Sequence, residues 1–245
     1  MKIKSDTIWV ILGRGPLGNA LKSRLGDKCI QLASRNWIKD PIDFPSEVKG
    51  VFLAVPDYQI VNFANGLLQK NISIPIFHCS GVTPLSSISF YAKSGVWYPM
   101  QSFKGKNIPW HDFPVFWEVL DPSMLPVLEQ FHMDLNIPKG LIHSSEMRSK
   151  YHLAAVFANN FLNHQIGILQ EYCSLSGINP SFFDSMIEKS ISNAISTKAY
   201  DIQTGPAHRG DQVTLERHLE MLPERMQNIY KIISSSIAEI KMREN

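Results

Sequence analysis

A glycine-rich segment near the amino terminus has the residue types and spacing that can hold a phosphate group. The apolar run Thr7 to Leu12 leads into Gly13-Arg14-Gly15-Pro16-Leu17-Gly18, and an apolar helical pattern follows. Gly13 would permit the tight turn, Gly15 the close approach of a pyrophosphate, and Gly18 the packing of helix on strand. The helix start attracts phosphates, and Pro16 suits its first turn. The segment predicts a dinucleotide-binding loop; the alternative is a tight turn without a ligand.

The end of the second expected strand indicates which dinucleotide this loop would take. An acidic residue there binds the ribose 2′-hydroxyl of NAD, whereas its absence beside an arginine suits the 2′-phosphate of NADP. Here the strand ends in Ser34-Arg35, and the nearest acid is Asp40. A guanidinium holds phosphate through several charge-assisted hydrogen bonds, and Arg14 could add to the same pocket. The pattern favours NADP over NAD, unless both arginines are plain surface residues.

Residues that follow two further strands should face the same cleft, because ligands of open α/β sheets bind beyond the carboxyl ends of the strands. This rule nominates Val55, Pro56 and Asp57 after one strand as cofactor contacts. It nominates Ser80 and Gly81 after the next. Asp57 could equally cap the helix that follows it.

Two side chains at the end of that second strand have reactive chemistry. His78 is a candidate proton donor because imidazole titrates near neutral pH, and it also suits a purely structural hydrogen bond. Cys79 could act as a nucleophile, but a small core residue is the favoured interpretation.

A second candidate site lies on a long helical pattern in the second half of the chain. His152, Asn159 and Asn163 are spaced by seven and four residues, so an α-helix would place them on one face. Lys150 lies just outside this stripe. Buried polar side chains need partners, so a stripe that faces a cleft would be a site. A stripe that faces solvent would be unremarkable.

The elements that must position these residues change character along the chain. Up to about Leu141, strand and helix signals alternate, which predicts a mostly parallel, doubly wound α/β sheet. From Ser144 onward only helices are expected, with a break at Pro223. We therefore expect a cofactor-binding domain over 1–143 and a helical domain for substrate and dimerisation over 144–245. The expected strands are residues 7–12, 28–33, 50–55, 74–79, 96–98 and 114–120.

Composition excludes several classes of protein. The 245 residues carry a formal net charge of +2, which argues for neither a nucleic acid nor a membrane partner. The sequence has no apolar run of transmembrane length, and its amino terminus lacks the layout of a signal peptide. Cys29, Cys79 and Cys173 are widely spaced, which predicts buried thiols in a reducing cytoplasm and no disulfide framework or metal site.

Several segments, in the same order along the chain, carry a resemblance that covers nearly the whole sequence. They are the Gly13–Gly18 loop, Ser34-Arg35, His78-Cys79-Ser80-Gly81, Tyr98-Pro99-Met100-Gln101-Ser102-Phe103, residues 152–161 and residues 204–211. On these segments the sequence resembles an uncharacterised family of two-domain candidate NADP oxidoreductases. Its members have a Rossmann-like amino-terminal domain and a helical carboxyl-terminal domain of unknown function.

The resemblance implies a Rossmann-like, doubly wound parallel sheet followed by an all-α carboxyl-terminal domain, similar to the 6-phosphogluconate dehydrogenase superfamily. Such enzymes place the nicotinamide between the two domains and often pair through the helical domains, which implies a homodimer. Many hydroxyacid members carry a catalytic lysine followed one helical turn later by asparagine. Here Ala154 stands at that distance from Lys150, so the lysine and asparagine roles do not transfer directly.

The expected function is that of an NADP-dependent oxidoreductase that transfers hydride between the nicotinamide and a small polar carbonyl, hydroxy or imino substrate. Charge that develops on the substrate heteroatom needs a proton donor, which His152 or Lys150 would supply while Asn159 orients the substrate. A second hypothesis is a non-catalytic NADP-binding redox sensor or scaffold, which the missing lysine–asparagine spacing favours.

Four further residues are expected to contact the substrate, namely Gln101, Asn163, His208 and Arg209. Arg209 would suit a substrate carboxylate. The alternative for residues 205–211 is a loop that only turns the chain, with Arg209 and Asp211 in contact with each other.

Overall fold

Seven strands of the described residues form a single sheet. The computed structural model describes residues 9–33, 44, 47–70, 72–104 and 108–244, and the expected contacts Ser34 and Arg35 lie outside these ranges. The strands are β1 (Trp9–Leu12), β2 (Cys29–Leu32), β3 (Gly50–Leu53), β4 (Ile76–His78), β5 (Ser94–Pro99), β6 (Val115–Val119) and β7 (Leu141–Ile142). Their order across the sheet is β2-β1-β3-β4-β5-β6-β7. Neighbouring strands are parallel except β5 and β6.

Helices, together with short 3-10 turns and loops, connect the strands, and helices predominate after the last strand. A π-helical segment, Val156–Phe161, joins the helices Ser145–Ala155 and Leu162–Ser176. No described helix is both long and apolar enough to cross a membrane. The helices are α1 (Pro16–Leu25), α2 (Ile60–Gln69), α3 (Leu125–Leu135), α4 (Ser145–Ala155), α5 (Leu162–Ser176), α6 (Asp184–Ser196), α7 (Pro206–Arg209), α8 (Gln212–Met221) and α9 (Glu224–Glu244).

Both faces of the sheet are buried, because the strands are apolar at nearly every position and helices cover each side. On one face Val51 and Val96 pack with residues of α2. On the other face Phe52 and Trp97 pack with residues of α1 and α3. The sheet is therefore doubly wound, as predicted.

Three features differ from the expectation. A short edge strand, β7, follows the last expected strand, and β6 runs antiparallel to β5. The helix α3 was not expected, although Asp121 accepts a hydrogen bond from the Ser123 N–H ahead of it, as a capping residue does. The break at Pro223 is confirmed, since α8 ends at Met221 and α9 begins at Glu224.

The chain divides into two compact units, residues 1–159 and residues 160–245. The expected division at 143/144 lies earlier in the chain, ahead of α4. In the structure α4 belongs with the sheet, because Arg148 is buried and Tyr151 stacks on Phe116 of β6 at a centroid distance of 4.6 Å.

Candidate functional site: a glycine-loop cavity and a histidine–tyrosine pair

The turn between β1 and α1 uses its three glycines in different ways. Gly13 has a φ of +123°, and a Cβ added to it would overlap the carbonyl oxygen of Ala54. A Cβ on Gly18 would overlap the carbonyl oxygen of Gly13. A Cβ on Gly15 would meet no atom within 4 Å, so this residue faces open space. Gly13 allows the turn and Gly18 the close packing, whereas Gly15 leaves the loop open to a ligand.

The start of α1 is free to meet an anion. Gly15 is the residue ahead of the helix, Pro16 is in its first turn, and no described side chain caps it. The first N–H groups of a helix have no intrahelical partner, and the helix dipole favours negative charge there.

A cavity of about 700 Å³ opens in front of this loop. It lies where the strand order reverses, between β1 and β3, which is where doubly wound sheets bind ligands. Its size falls within the roughly 300–1,000 Å³ of small-molecule pockets. The lining residues are Gly13, Arg14, Gly15, Pro16, Leu17, Ala33, Ala54, Val55, Pro56 and Cys79.

Two of the expected cofactor contacts bind each other. The Ser80 hydroxyl donates to an Asp57 carboxylate oxygen at 2.8 Å. It accepts hydrogen bonds from the N–H groups of Val82 at 3.2 Å and Thr83 at 2.9 Å. Asp57 therefore holds the segment that follows β4, and its side chain does not cap the helix. Ser80 and Gly81 are absent from the cavity lining among the described residues.

Burial controls the chemistry of the two reactive side chains at the end of β4. His78 is fully buried, and its Nδ1 accepts a hydrogen bond from the Ser80 N–H at 3.3 Å. Burial, and then the charge of Arg148, lower the pKa of His78 to about 3, so the imidazole stays neutral. Burial, and then the charge of Asp57, raise the pKa of the Cys79 thiol, which disfavours the nucleophilic thiolate.

His152, an expected proton donor, lies against two parts of the sheet unit. Its Nδ1 is 2.9 Å from the hydroxyl oxygen of Tyr98, near the carboxyl end of β5. A Cβ added to Gly81 would lie 2.6 Å from Cγ and 2.9 Å from Cβ of His152. Only glycine lets the segment after β4 pack so closely on the imidazole.

Arg148, one helical turn before His152, is a buried cation that joins α4 to the sheet. Its side chain is 1% exposed and forms an ion pair with Glu118 of β6. It also donates to the carbonyl oxygen of Thr83 at 2.5 Å and to the Ser145 hydroxyl at 3.3 Å. The guanidinium thus fixes both α4 and the segment that contacts His152.

The remaining expected residues of the first unit are more exposed. Lys150 is 64% exposed and pairs with Glu146. Gln101 accepts a hydrogen bond from the Ser102 N–H at 2.7 Å. Asn159 is exposed and lies in the π segment, where each turn holds more residues than in an α-helix. Its spacing of seven from His152 therefore does not equal two α-helical turns, so the common face expected of an uninterrupted α-helix does not follow from that spacing.

Three expected substrate contacts lie in the second unit. Asn163 is exposed in the first turn of α5, His208 is partly buried, and Arg209 is exposed at the end of α7. Hydrogen bonds from Thr214, and then the charge of Arg209, hold the pKa of Asp211 below its usual value. This agrees with the alternative in which Arg209 serves the turn itself.

Sequence reasoning overlooked several residues of the site. Ala33 and Ala54 line the cavity, but their side chains carry no signal of ligand binding, and Cys79, which also lines it, was considered only as a nucleophile or a core residue. Tyr98 begins one of the segments that carry the family resemblance, and its hydroxyl is the signal that could have identified it. Arg148 precedes His152 by four residues, so helical spacing alone could have placed them on one face.

The second half of the sequence matches a described protein family. The family with a domain of unknown function, DUF2520, matches residues 113–237, a range that begins just before β6 and ends within α9. Among curated proteins, none matches this sequence.

Solved structures resemble the chain along nearly its whole length. A candidate NADP oxidoreductase from Bacteroides fragilis is 24% identical with a TM-score of 0.81, and the alignment covers 96% of this chain and 98% of that chain. A protein from Thermotoga maritima is 21% identical with a TM-score of 0.62, at 97% and 99% coverage. A reductive aminase from Aspergillus terreus, solved with NADPH and ethyl-5-oxohexanoate, is 12% identical with a TM-score of 0.58, at 98% and 93% coverage. These similarities confirm the predicted fold class, a Rossmann-like α/β sheet followed by an all-helical region.

Proposed function

The chain belongs to the DUF2520 family, and we propose that this member is an NADP-dependent oxidoreductase acting on a small polar carbonyl, hydroxy or imino substrate. The observation that carries the proposal is the cavity of about 700 Å³ in front of the glycine loop. It combines an uncapped helix start with an opening at Gly15, at the strand-order reversal where nucleotides bind in this class of sheet.

The residues of the cavity fit a dinucleotide phosphate. Space beside Gly15 would admit the pyrophosphate, and the first N–H groups of α1 would bind its oxygens. Arg14 lines the same cavity and is exposed, so its guanidinium could reach a 2′-phosphate. NADPH, when bound, would supply the hydride. The similarity in fold to a candidate NADP oxidoreductase from Bacteroides fragilis and to the NADPH complex of a reductive aminase from Aspergillus terreus supports NADP as the cofactor.

Thermal unfolding of the full chain with NADPH, with NADH and without nucleotide tests the cofactor. A ligand at a hundred times its Kd stabilises the folded state by about 2.7 kcal/mol. We expect NADPH to raise the Tm more than NADH does. Gly15→Val should abolish the shift in Tm, because its side chain would fill the space in front of the glycine loop. The fold should tolerate the change, because the backbone at Gly15 is extended and an added Cβ meets no other atom within 4 Å.

Gly167→Val is the matched control for that variant. Gly167 lies in α5, and an added Cβ there also meets nothing within 4 Å, so the control adds the same atoms away from the loop. Its response to NADPH should equal that of the unaltered chain. Absence of a shift with either nucleotide would refute cofactor binding, and a larger shift with NADH would refute the preference for NADP.

Turnover separates the reductase from a non-catalytic NADP-binding sensor or scaffold. Lys150 is exposed and pairs with Glu146, so it is not held in a site as a catalytic lysine would be. This position favours the sensor or scaffold over a reductase that uses Lys150. NADPH oxidation should be followed by absorbance with the cyclic imine pyrroline and with glyoxylate and methylglyoxal. Consumption above the rate without protein supports the reductase, and tight NADPH binding with no consumption supports the sensor.

We further propose that the chain forms a homodimer through its helical unit. Among the described residues of that unit, the buried hydrophobic side chains are only Cys173, Ala207 and Met226. Large apolar side chains exposed in this number support an interaction face, and a second copy would cover it with the same surface. Side chains more than half exposed include Leu175, Phe182, Met186, Ile195, Tyr200, Val213, Met221 and Ile232.

Sedimentation velocity tests the dimer. Ile195→Glu places a charge on the apolar surface of α6, where Ile195 is 81% exposed, and should shift the protein toward monomer. Tyr58→Glu is the control, because Tyr58 is 79% exposed in the first unit and lies outside the proposed face. A monomeric unaltered chain at micromolar concentration would contradict the proposal.

A further inference from the structure

Tyr98 and His152 form a hydrogen-bonded pair beside the proposed cofactor cavity. Tyr98 is the penultimate residue of β5, and the carboxyl end of β5 lies at the same sheet edge as those of β1, β3 and β4, because these strands are parallel. Its ring meets that of His152 edge to face, at a centroid distance of 5.8 Å. The pair therefore stands at the edge of the sheet where the glycine loop also lies.

The segment after β4 links the pair to the cavity wall. Cys79 lines the cavity, and Gly81, two residues later, touches the imidazole of His152. Two residues of extended chain span at most roughly 7 Å. His152 is half-buried, so the residue keeps some access to solvent.

Hydrogen bonds hold the pair in place from two directions. The Ser80 hydroxyl fixes the segment through Asp57 and the N–H groups of Val82 and Thr83. The guanidinium of Arg148 then binds the Thr83 carbonyl oxygen from α4, the helix that carries His152. A donor held by its surroundings in this way needs little reorganisation when it reacts.

The direction of the hydrogen bond between Tyr98 and His152 is linked to which nitrogen of His152 carries hydrogen. Burial raises the pKa of the Tyr98 phenol to about 12, against a smaller lowering by the charge of Arg148. The phenol therefore keeps its proton at neutral pH and is available as the donor to Nδ1 of His152. A neutral imidazole that accepts at Nδ1 carries its hydrogen on Nε2. No described residue forms a hydrogen bond with that nitrogen.

We propose that Tyr98 and His152 are a proton relay that protonates the substrate heteroatom in the reaction of the proposed reductase. The substrate carbon accepts a hydride, its π electron pair moves to the carbonyl oxygen or imine nitrogen, and that atom takes the proton from Nε2. Nδ1 takes the proton of the Tyr98 hydroxyl in the same step, so His152 stays neutral. The negative charge is left on the phenolate, near the buried cation of Arg148, and solvent returns the proton.

The other charged groups near the pair are engaged with partners of their own. Glu118 of β6 is held in the ion pair with Arg148. Asp57 accepts the Ser80 hydroxyl hydrogen, which occupies one of its oxygens. Lys150 points to solvent and pairs with Glu146. The proposal rests on the proposed reductase function for its substrate and on the described geometry for its residues.

Heteronuclear NMR of the histidine side chains tests the ground state of the relay without any substrate. In the full-length protein His152 should carry hydrogen on Nε2, with Nδ1 as acceptor. Tyr98→Phe removes the donor and should change the Nδ1 signal of His152. Tyr91→Phe is the matched control, because the Tyr91 phenol is also buried, also has a pKa raised by burial to about 12, and donates to the carbonyl oxygens of Ile72 and Ile74. A hydrogen on Nδ1 of His152 in the unaltered protein would overturn the relay.

Turnover provides the second readout, with NADPH and pyrroline, glyoxylate or methylglyoxal as probes. His152→Ala should lower kcat by about 100-fold or more, within the range for general acid catalysis, and Tyr98→Phe by at least about 10-fold, because the imidazole remains. The NADPH-induced shift in Tm and the kcat of Tyr91→Phe should stay unchanged. Unchanged kcat in His152→Ala or in Tyr98→Phe would overturn the relay while leaving the reductase intact.

Failure of the two proposals is distinguishable. Loss of NADPH binding in the unaltered protein counts against the reductase. If the unaltered protein binds NADPH and reduces none of the probes, the NMR result alone decides the relay, because it requires no turnover.

Discussion

Removing either partner of the ion pair between Arg148 and Glu118 should destabilise the sheet unit, and the two losses should differ in size. The Arg148 side chain is 1% exposed, whereas the Glu118 side chain is 21% exposed. Removing one partner of a buried ion pair costs about 3–5 kcal/mol, because the other charge is left without compensation. The cost depends on which charge remains, since water can reach a partly exposed carboxylate but not a buried guanidinium.

Two substitutions of similar volume separate these cases. Arg148→Met leaves the Glu118 carboxylate with some access to water, so we expect a loss of about 3 kcal/mol, the lower end of the range. Glu118→Leu leaves the buried guanidinium with Thr83 and Ser145 as neutral partners, so we expect about 5 kcal/mol. The double variant should be more stable than Glu118→Leu, because no unpaired charge remains, with a coupling free energy of about 2 kcal/mol.

Urea unfolding followed by tryptophan fluorescence is the suitable assay. All five tryptophans lie within residues 1–159, so the signal reports on the unit that contains the ion pair. Circular dichroism at the same urea concentrations would reveal whether the helical unit unfolds separately, which decides whether one free energy describes the transition. Equal losses in the two single variants, or strict additivity in the double variant, would refute the assignment of the cost to an unpaired buried charge.

Two further predictions concern pH and packing. Burial lowers the pKa of His78 to about 3 and that of His132 to about 4, so both bind protons more readily when unfolded, and the free energy of unfolding should fall as pH drops from about 6.5 to 4. Urea titrations across that range should show the free energy of unfolding changing by up to about 1.4 kcal/mol per pH unit for each histidine. His132→Asn should reduce this dependence on pH. A free energy of unfolding that does not change with pH would contradict the buried neutral state of the two histidines. Gly18→Ala should cost about 1–3 kcal/mol, because its Cβ overlaps the carbonyl oxygen of Gly13, whereas Gly15→Ala should change stability by less than about 0.5 kcal/mol. Thermal melts without nucleotide compare the two alanine variants, and equal losses would contradict the packing argument.

Local rules were sufficient for the glycine loop and for several helix ends. Gly13 and Pro16 act through the conformations that their own backbones allow, so their positions predicted the turn and the start of α1. Gly177 ends α5 with a φ of +68°, and Pro223 separates α8 from α9, for the same reason. Glycine and proline determine the backbone conformation of their own segment through their φ angles, and this effect does not depend on contacts with the rest of the chain.

Patterns that depend on an assumed helix period were less reliable. The stripe of His152, Asn159 and Asn163 presumes an uninterrupted α-helix, and the π segment Val156–Phe161 breaks that period. The edge strand β7 has two residues, which is too few to show alternation. The strand β7 exists through its pairing with β6, and neither it nor the π segment leaves a periodic trace in the sequence.

The sequence by itself determined the strand–glycine loop–helix unit, the doubly wound fold class and the family, because each depends on residue types at short, regular spacings. Only the tertiary structure decided which of the nominated side chains meet. It placed Val55 and Pro56 at the glycine-loop cavity, turned Asp57 toward Ser80, left Lys150 in solvent, and brought His152 to Tyr98. These contacts join residues far apart in the chain, and they depend on the register of β5 beside β4 and on the burial of Arg148, neither of which a single sequence encodes in a local pattern.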